Sequence, residues 1–239
     1  MLFDVHCHIL PGVDDGAKTE DSTKRMLKFA AREGMNSIIA TPHFKYGEDF
    51  VSPEDIYAKY QMVRAWWKQI SPKKELYLGS ELFYSESIIE ALKKGYALTI
   101  NGTKYVLIEF PIYAEYGYIE RAVKKLLYAG YIPILAHMER YKSLRKREQV
   151  QQLVDMGAYM QVNTSAIMGK HGILTKWYLL KLIKSGLIHF IGTDAHGSRE
   201  RRPEIRECVE YLRKKIGNKE TRRIVEKNPQ KMLRGEKLV

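Results

Sequence analysis

Two short motifs near opposite ends of the chain suggest its chemistry. His6-Cys7-His8 and Asp194-Ala195-His196 each place two ligand-type side chains two residues apart. On a strand that spacing puts both on one side, because side-chain direction repeats every second residue. Further imidazoles and carboxylates follow Ile-, Val- and Leu-rich runs: Asp15 with Asp14 before it, His43 in Thr41-Pro42-His43, Glu81, Glu109 and His137. A charged group at the end of a buried strand is costly unless it is paired or binds a metal ion. Five of the seven histidines and four carboxylates on one rim therefore read as a metal centre. Imidazole and carboxylate together suit Zn, Mn or Fe. One ion rarely takes nine protein ligands, so two or three ions are expected, with Glu81 or Glu109 able to bridge. His189, inside the last apolar run, reads as a packed residue, and His171 could face the rim or solvent. Cys7, between two ligand positions, should point away from them.

The elements that must position these residues show as alternating strand-like and helical stretches. The strand-like runs are 2–8, 36–41, 75–81, 104–110, 131–137, 158–163 and 187–193. Helical spacing is found near 20–33, 53–69, 86–94, 117–129, 147–156, 175–185, 203–216 and 219–234. Ser52-Pro53 reads as an N-cap followed by proline at the first helical position. Gly34, Gly95, Gly130, Gly157 and Gly186 stand where C-caps belong. Short apolar strands alternating with helices predict a parallel sheet buried on both faces. Seven such units without a composition break predict one α/β domain over residues 1–239, a closed seven-stranded barrel with basic helices near 203–234. An open doubly wound sheet is the alternative. In a barrel the chemistry gathers at the C-terminal strand ends, where the ligand-type residues fall.

Composition narrows the class. The chain has 239 residues, 45% of them apolar, and a net charge of +12. That is ordinary globular material, which argues against a disordered, collagen-like or disulfide-scaffold protein. Two distant cysteines, Cys7 and Cys208, suit a reducing compartment. No apolar run approaches the ~18 residues of a membrane span, and the first residues lack the pattern of a signal peptide, so a cytoplasmic protein is expected. Residues 199–239 carry fourteen Lys or Arg against seven Asp or Glu. Such an excess either guides an anionic partner or is a solvated helix face. Gly-rich loops of the Walker or dinucleotide type are absent.

Longer segments carry a family resemblance. His6-Cys7-His8-Ile9-Leu10-Pro11-Gly12-Val13-Asp14-Asp15-Gly16-Ala17 resembles the opening of the bacterial metal-dependent tyrosine phosphatases of the PHP (polymerase and histidinol phosphatase) superfamily, found with capsule and exopolysaccharide loci. The segments 38–43, 105–111, 136–141 and 193–196 are similar in the same order, so the likeness runs over about residues 1–203. It implies a distorted seven-stranded barrel of PHP type and a trinuclear site, often manganese. Carried over by position, His6, His8, Glu81 and Asp194 would hold one ion. Glu81, Glu109 and His137 would hold a second, and Asp15, His43 and His196 a third. Arg140 matches an arginine that binds phosphate in the family. Arg201 matches a second by ungapped count from Asp194, with Arg199 and Arg202 close by. Met138 departs from the proline usual in the family, which should alter the turn after His137.

The chemistry expected from these parts is attack of a metal-activated hydroxide on phosphorus, with Arg140 and Arg201 neutralising the phosphoryl oxygens. Val13 and Lys214 stand where a cysteine phosphatase would carry its arginine, so a phosphocysteine route is not expected. Phe44, Tyr46, Phe83, Tyr84, Phe110, Tyr113, Tyr116 and Tyr141 follow strand ends and could wall an aromatic substrate, or simply pack. The first expectation is a protein-tyrosine phosphatase acting on a phosphotyrosine tail of a polysaccharide-synthesis kinase. The second is a small-molecule phosphatase such as a histidinol-phosphate phosphatase. An outside reading, a nuclease or nucleic-acid binding module, has no RRM, helix-turn-helix or zinc-finger signature behind it. A homo-oligomer is compatible with either phosphatase reading.

Overall fold

Residues 1–48 and 51–238 are described by the structure, a computed structural model. Among them the chain forms nine strand segments, all paired in parallel. β1 (Phe3–Cys7), β2 (Ser37–Ala40) and β4 (Glu75–Leu78) make one sheet in that order. The second sheet runs β3 (His43–Lys45), β5 (Glu81–Phe83), β6 (Tyr105–Glu109), β7 (Ile132–Leu135), β8 (Tyr159–Asn163) and β9 (Phe190–Gly192). The fold is thus parallel α/β, arranged as two sheets rather than one uninterrupted seven-stranded one.

The 75–81 run breaks in two, and β3 forms beyond the end of the 36–41 run; both interruptions matter for the site. Pro42, which has no N–H to give a ladder, lies between β2 and β3. Gly79-Ser80 lies between β4 and β5, where a Cβ on Gly79 would come within 2.5 Å of Ile100 Cδ1. His43 and Glu81 therefore open strands of the second sheet instead of closing strands of the first. Backbone bonds continue past both breaks: Gly79 N–H donates to Ala40 O at 2.9 Å and Glu81 N–H to Pro42 O at 3.0 Å. Beyond β9, Asp194 N–H donates to His6 O at 2.8 Å, and His8 N–H donates to Ala195 O at 2.9 Å.

The helices cover the sheets much as the spacing predicts: α1 (Glu20–Arg32), α2 (Pro53–Ile70), α3 (Ile88–Lys93), α4 (Tyr116–Tyr128) and α5 (Arg147–Met156). Ser52 caps α2, its hydroxyl accepting from Asp55 N–H at 3.1 Å. Gly157 ends α5 at φ 111°, a conformation costly for any side chain. A short α6 (Thr164–Ile167), absent from the periodicity, precedes α7 (Ile173–Lys184). α8 (Arg206–Arg222) bends at Gly217, which separates the two basic helices expected from sequence, and α9 (Asn228–Leu233) follows. Alternate strand residues pack into two cores. Cys7, Ile38, Val106, Leu135, Met160 and Ile191 belong to the larger one, with the helices. Phe3, Val5, Ile39, Leu107, Ile134 and Phe190 form a smaller one that Met232 of α9 joins.

Candidate metal centre

The smaller core ends where the ligand-type residues begin. Along β6, Tyr105 and Leu107 pack in it, and Glu109 continues the same face. β9 places Phe190 there, with Gly192 and then Asp194 following at the same period. β1 needs a correction to keep step. Its pairing advances from Asp4 to Cys7 while β2 advances only from Ile38 to Ala40, a bulge of one residue. Phe3 and Val5 face the small core, and the extra residue brings His6 and His8 onto that side as well. Bulges re-aim side chains in this way beside active sites.

All nine predicted residues converge. His6 Nε2 is 3.0 Å, His8 Nε2 3.2 Å and His43 Nδ1 3.2 Å from Glu81 Oε2. Asp194 Oδ1 lies 3.7 Å from His6 Nε2 and 3.5 Å from His8 Nε2. His137 Nε2 meets Glu81 Oε1 at 2.7 Å and Glu109 Oε1 at 3.4 Å. Asp15 Oδ1 is 3.2 Å from His196 Nε2 and 3.4 Å from His43 Nε2. Three ligand groups follow: His6, His8, Glu81 and Asp194; His8, Asp15, His43 and His196; and His43, Glu81 and Glu109, beside which His137 stands. His8 and His43 are thus shared more widely than the resemblance implied. Asp15 (side chain 63% exposed), His43 (35%) and Glu109 (19%) form the mouth of an otherwise buried cluster.

These donors fit divalent ions. Among the described residues, no well-aligned hydrogen bond reaches Glu81 Oε2, although three imidazole nitrogens surround it; His196 Nε2 is likewise buried without one. His196 Nδ1 donates to the Asp194 carbonyl oxygen at 2.9 Å, which leaves Nε2 as a lone pair. His8 Nδ1 is held at 2.7 Å by Asp14 Oδ2, which also accepts the His43 N–H at 3.0 Å. Histidines that bind metal usually carry such a partner on the other nitrogen. Burial disfavours charge on His8, but its bond to Asp14 and the negative charge of Glu81 beside it outweigh burial and raise it to about 10. For His137 burial is likewise outweighed by Glu81 and Glu109, and its pKa rises to about 9. Burial, helped by the charge on His8, drives His196 down to about 4. Burial opposes the charge on Glu81, yet His6 and His137 hold it well below the usual range. The cluster is therefore a nest of ionised carboxylates that attracts positive charge.

The arginines sit on its flank. Arg140 Nη2 reaches Asp194 Oδ2 at 2.5 Å, and Arg201 Nη2 reaches Asp194 Oδ1 at 2.8 Å. Arg202 turns away, pairing with Glu204 and lying over the Phe29 ring at 5.0 Å. Met138 is buried in the short 3-10 turn Met138–Arg140 after His137, whose φ is 31°. A cavity of about 690 Å³ opens beside Arg140, Asp194 and Arg201, with Asn163 and His171 on its wall. His171 is an exposed residue at that rim. His189 is packed as expected, its Nδ1 accepting Met160 N–H at 3.2 Å. Cys7 is buried in the larger core.

The aromatic wall divides. Tyr84, Phe110 and Tyr141 are core residues, with the Tyr141 hydroxyl accepting Phe110 N–H at 3.0 Å, and Phe44 is buried as well. Tyr46 and Tyr113 are exposed, Phe83 lies under Lys45 Nζ, and the Tyr116 hydroxyl is engaged by Gln152. Asp14, Gln161 and Asn163 have no role assigned from sequence. Gln161 and Asn163 are polar residues two apart on a buried strand, the same signal that singled out His6 and His8.

Fold and site together define a class: a parallel α/β scaffold that gathers imidazoles and carboxylates at one rim, with two arginines beside them. The chain belongs to the CpsB/CapC family of capsular polysaccharide synthesis, whose model matches residues 2–234. It is 29% identical over 238 residues to the tyrosine-protein phosphatase CpsB of Streptococcus pneumoniae, covering 97% of this chain and 98% of that one. It is 35% identical over 219 residues to the tyrosine-protein phosphatase YwqE of Bacillus subtilis, covering 91% and 86%. Crystal structures of YwqE and of S. pneumoniae CpsB, described as unique metal-dependent tyrosine phosphatases, include a chain that superposes with a TM-score of 0.90 at 31% identity, covering 100% and 96%.

Proposed function

We propose that this chain is a metal-dependent protein-tyrosine phosphatase of capsule or exopolysaccharide synthesis, and that the nine clustered residues are its metal ligands. The observation that carries the reading is the convergence of imidazole nitrogens on Glu81 next to two arginines on Asp194. Two or three divalent ions, manganese first and iron or zinc as alternatives, suit the donor set. Bound there, they would supply water acidified enough to be a nucleophile at neutral pH and would offset phosphoryl charge. His6, His8, Glu81 and Asp194 would hold one ion at the buried end. Glu81, Glu109, His137 and His43 would hold a second, and Asp15, His43, His196 and His8 one at the mouth.

The remaining steps belong to the side chains. Arg140 and Arg201 approach Asp194 from two directions, so a phosphate beside it would meet two planar forks, each able to bind two oxygens. Asp15, exposed at the mouth, closes the ion cluster toward solvent. The phenolate of phosphotyrosine leaves readily, so the mechanism requires no dedicated acid. The two sheets act as one distorted seven-stranded barrel, broken at Pro42 and Gly79, and residues 1–239 act as one domain. The substrate of the reading is a phosphotyrosine tail on a tyrosine kinase of the same synthesis system. Comparing kcat/KM for a phosphotyrosine peptide and for histidinol phosphate tests it. The peptide is expected to be the better substrate, and much faster turnover of histidinol phosphate would select the small-molecule reading instead.

A further inference from the structure

We propose that Gln161 is a positioning residue of the metal centre: its side-chain carbonyl holds His6 in the tautomer whose Nε2 lone pair faces the cluster. The proposal rests on the metal-centre reading above. Gln161 lies fully buried on β8. Its amide orientation is fixed by a group that can only donate, the His137 backbone N–H, 2.7 Å from Gln161 Oε1. The other end of the amide agrees, with Nε2 donating to Asn163 Oδ1 at 2.9 Å. With Oε1 so placed, the 3.2 Å contact from His6 Nδ1 requires the proton to sit on Nδ1. His6 Nε2 is then left facing Glu81 Oε2 at 3.0 Å and His8 Nε2 at 3.1 Å. Asn163, its oxygen already accepting, donates through Nδ2 to Asp194 Oδ2 at 2.9 Å. One amide therefore links His6 on β1, His137 after β7 and, through Asn163, Asp194 after β9.

The neighbouring strand keeps room for this contact. A Cβ on Gly192 of β9 would lie 2.5 Å from His6 Cβ and 3.0 Å from Gln161 Nε2. The residue behind the ring also differs between the paired histidines: His8 Nδ1 is held by the Asp14 carboxylate and His6 Nδ1 by a neutral amide. A carboxylate partner raises the basicity of the ligating nitrogen more than an amide does. The two imidazoles of the His6-Cys7-His8 pair therefore present unequal donors to the site.

The test is a Mn²⁺ titration of the metal-stripped full chain, with the His6 ring nitrogens observed by NMR, in the parent, Gln161→Leu and Gln161→Glu. In the parent the His6 proton is expected on Nδ1. Gln161→Leu should lose that preference and bind Mn²⁺ ~10–100-fold more weakly. Gln161→Glu, which keeps an acceptor beside His6, should restore the tautomer and most of the affinity. A Gln161→Leu protein that binds Mn²⁺ as the parent does, whatever its Tm, overturns the role of Gln161 and leaves the metal centre standing. A parent with the proton on Nε2 overturns it too. A parent that takes up none of Mn²⁺, Fe²⁺ and Zn²⁺ overturns the metal centre and this proposal together. If Gln161→Leu does not fold, the parent tautomer and the Gln161→Glu protein decide.

Discussion

Asp194 sits where several demands meet. Its carboxylate takes Arg140, Arg201 and Asn163, it faces His6 and His8, and its backbone φ is 53°. His137 and Arg201 share that left-handed conformation, at φ 31° and 45°. Non-glycine residues held there cost of order 1–3 kcal/mol each and collect at functional sites. None of this backbone strain can be read from residue types. The period-two spacing does reveal His6 with His8 and Asp194 with His196, because ligands on a strand must share a face. Asp14, by contrast, stands beside Asp15 and looks equivalent to it; only the fold shows one turned toward His8 and the other toward His196. Arg140→Ala and Arg201→Ala are each expected to lower kcat by ~10²–10³ while bound metal stays unchanged. Steady-state kinetics alongside metal analysis check this, and loss of metal in either variant would make the arginine structural.

Among the elements, the helices and most strands were legible because amphipathic spacing, the Ser52 cap and the glycine ends all point the same way. The interruptions were not. Gly79 lies within a run that reads as continuous, β3 begins past Pro42 and beyond the end of the 36–41 run, and the β1 bulge leaves no mark in hydrophobicity. They matter because they carry His43 and Glu81 into the second sheet and bring His6 and His8 to the inner face. The loop after β1 shows a similar hidden constraint. A Cβ on Gly16 would lie 2.3 Å from His8 O and 2.4 Å from His8 Cβ. Gly16→Ala is therefore expected to destabilise the fold by ~1–3 kcal/mol and to reduce Mn²⁺ uptake, since Asp14 and His8 must move. Thermal unfolding and a metal titration measure the two effects; a parent-like Tm would show that the loop can yield.

For the molecule as a whole, the excess of Lys and Arg over residues 199–239 is partly answered within the surface. Arg222 pairs with Glu226, Arg223 with Glu220 and Arg234 with Glu236. No helix among the described residues is long and apolar enough to cross a membrane. Global stability should report a buried group far from the rim. Burial and Arg223 hold His189 at about 3, below its ordinary 6.5. The unfolded chain then takes a proton near pH 6.5 that the folded chain refuses, so stability present above pH 6.5 is lost as pH falls toward 3. The slope reaches about 1.4 kcal/mol per pH unit for one proton. In His189→Asn, which keeps an acceptor for Met160 N–H, denaturant unfolding should show a shallower acid slope by up to that amount; an unchanged slope would place the acid sensitivity elsewhere.

Hydrolysis of phosphotyrosine at a polynuclear metal centre is tested most directly by metal content measured together with activity. The purified chain should carry two to three transition-metal ions, lose phosphotyrosine hydrolysis when they are chelated, and regain it when Mn²⁺ is returned. A chain stripped of metal that still hydrolyses phosphotyrosine at the full rate would contradict the account.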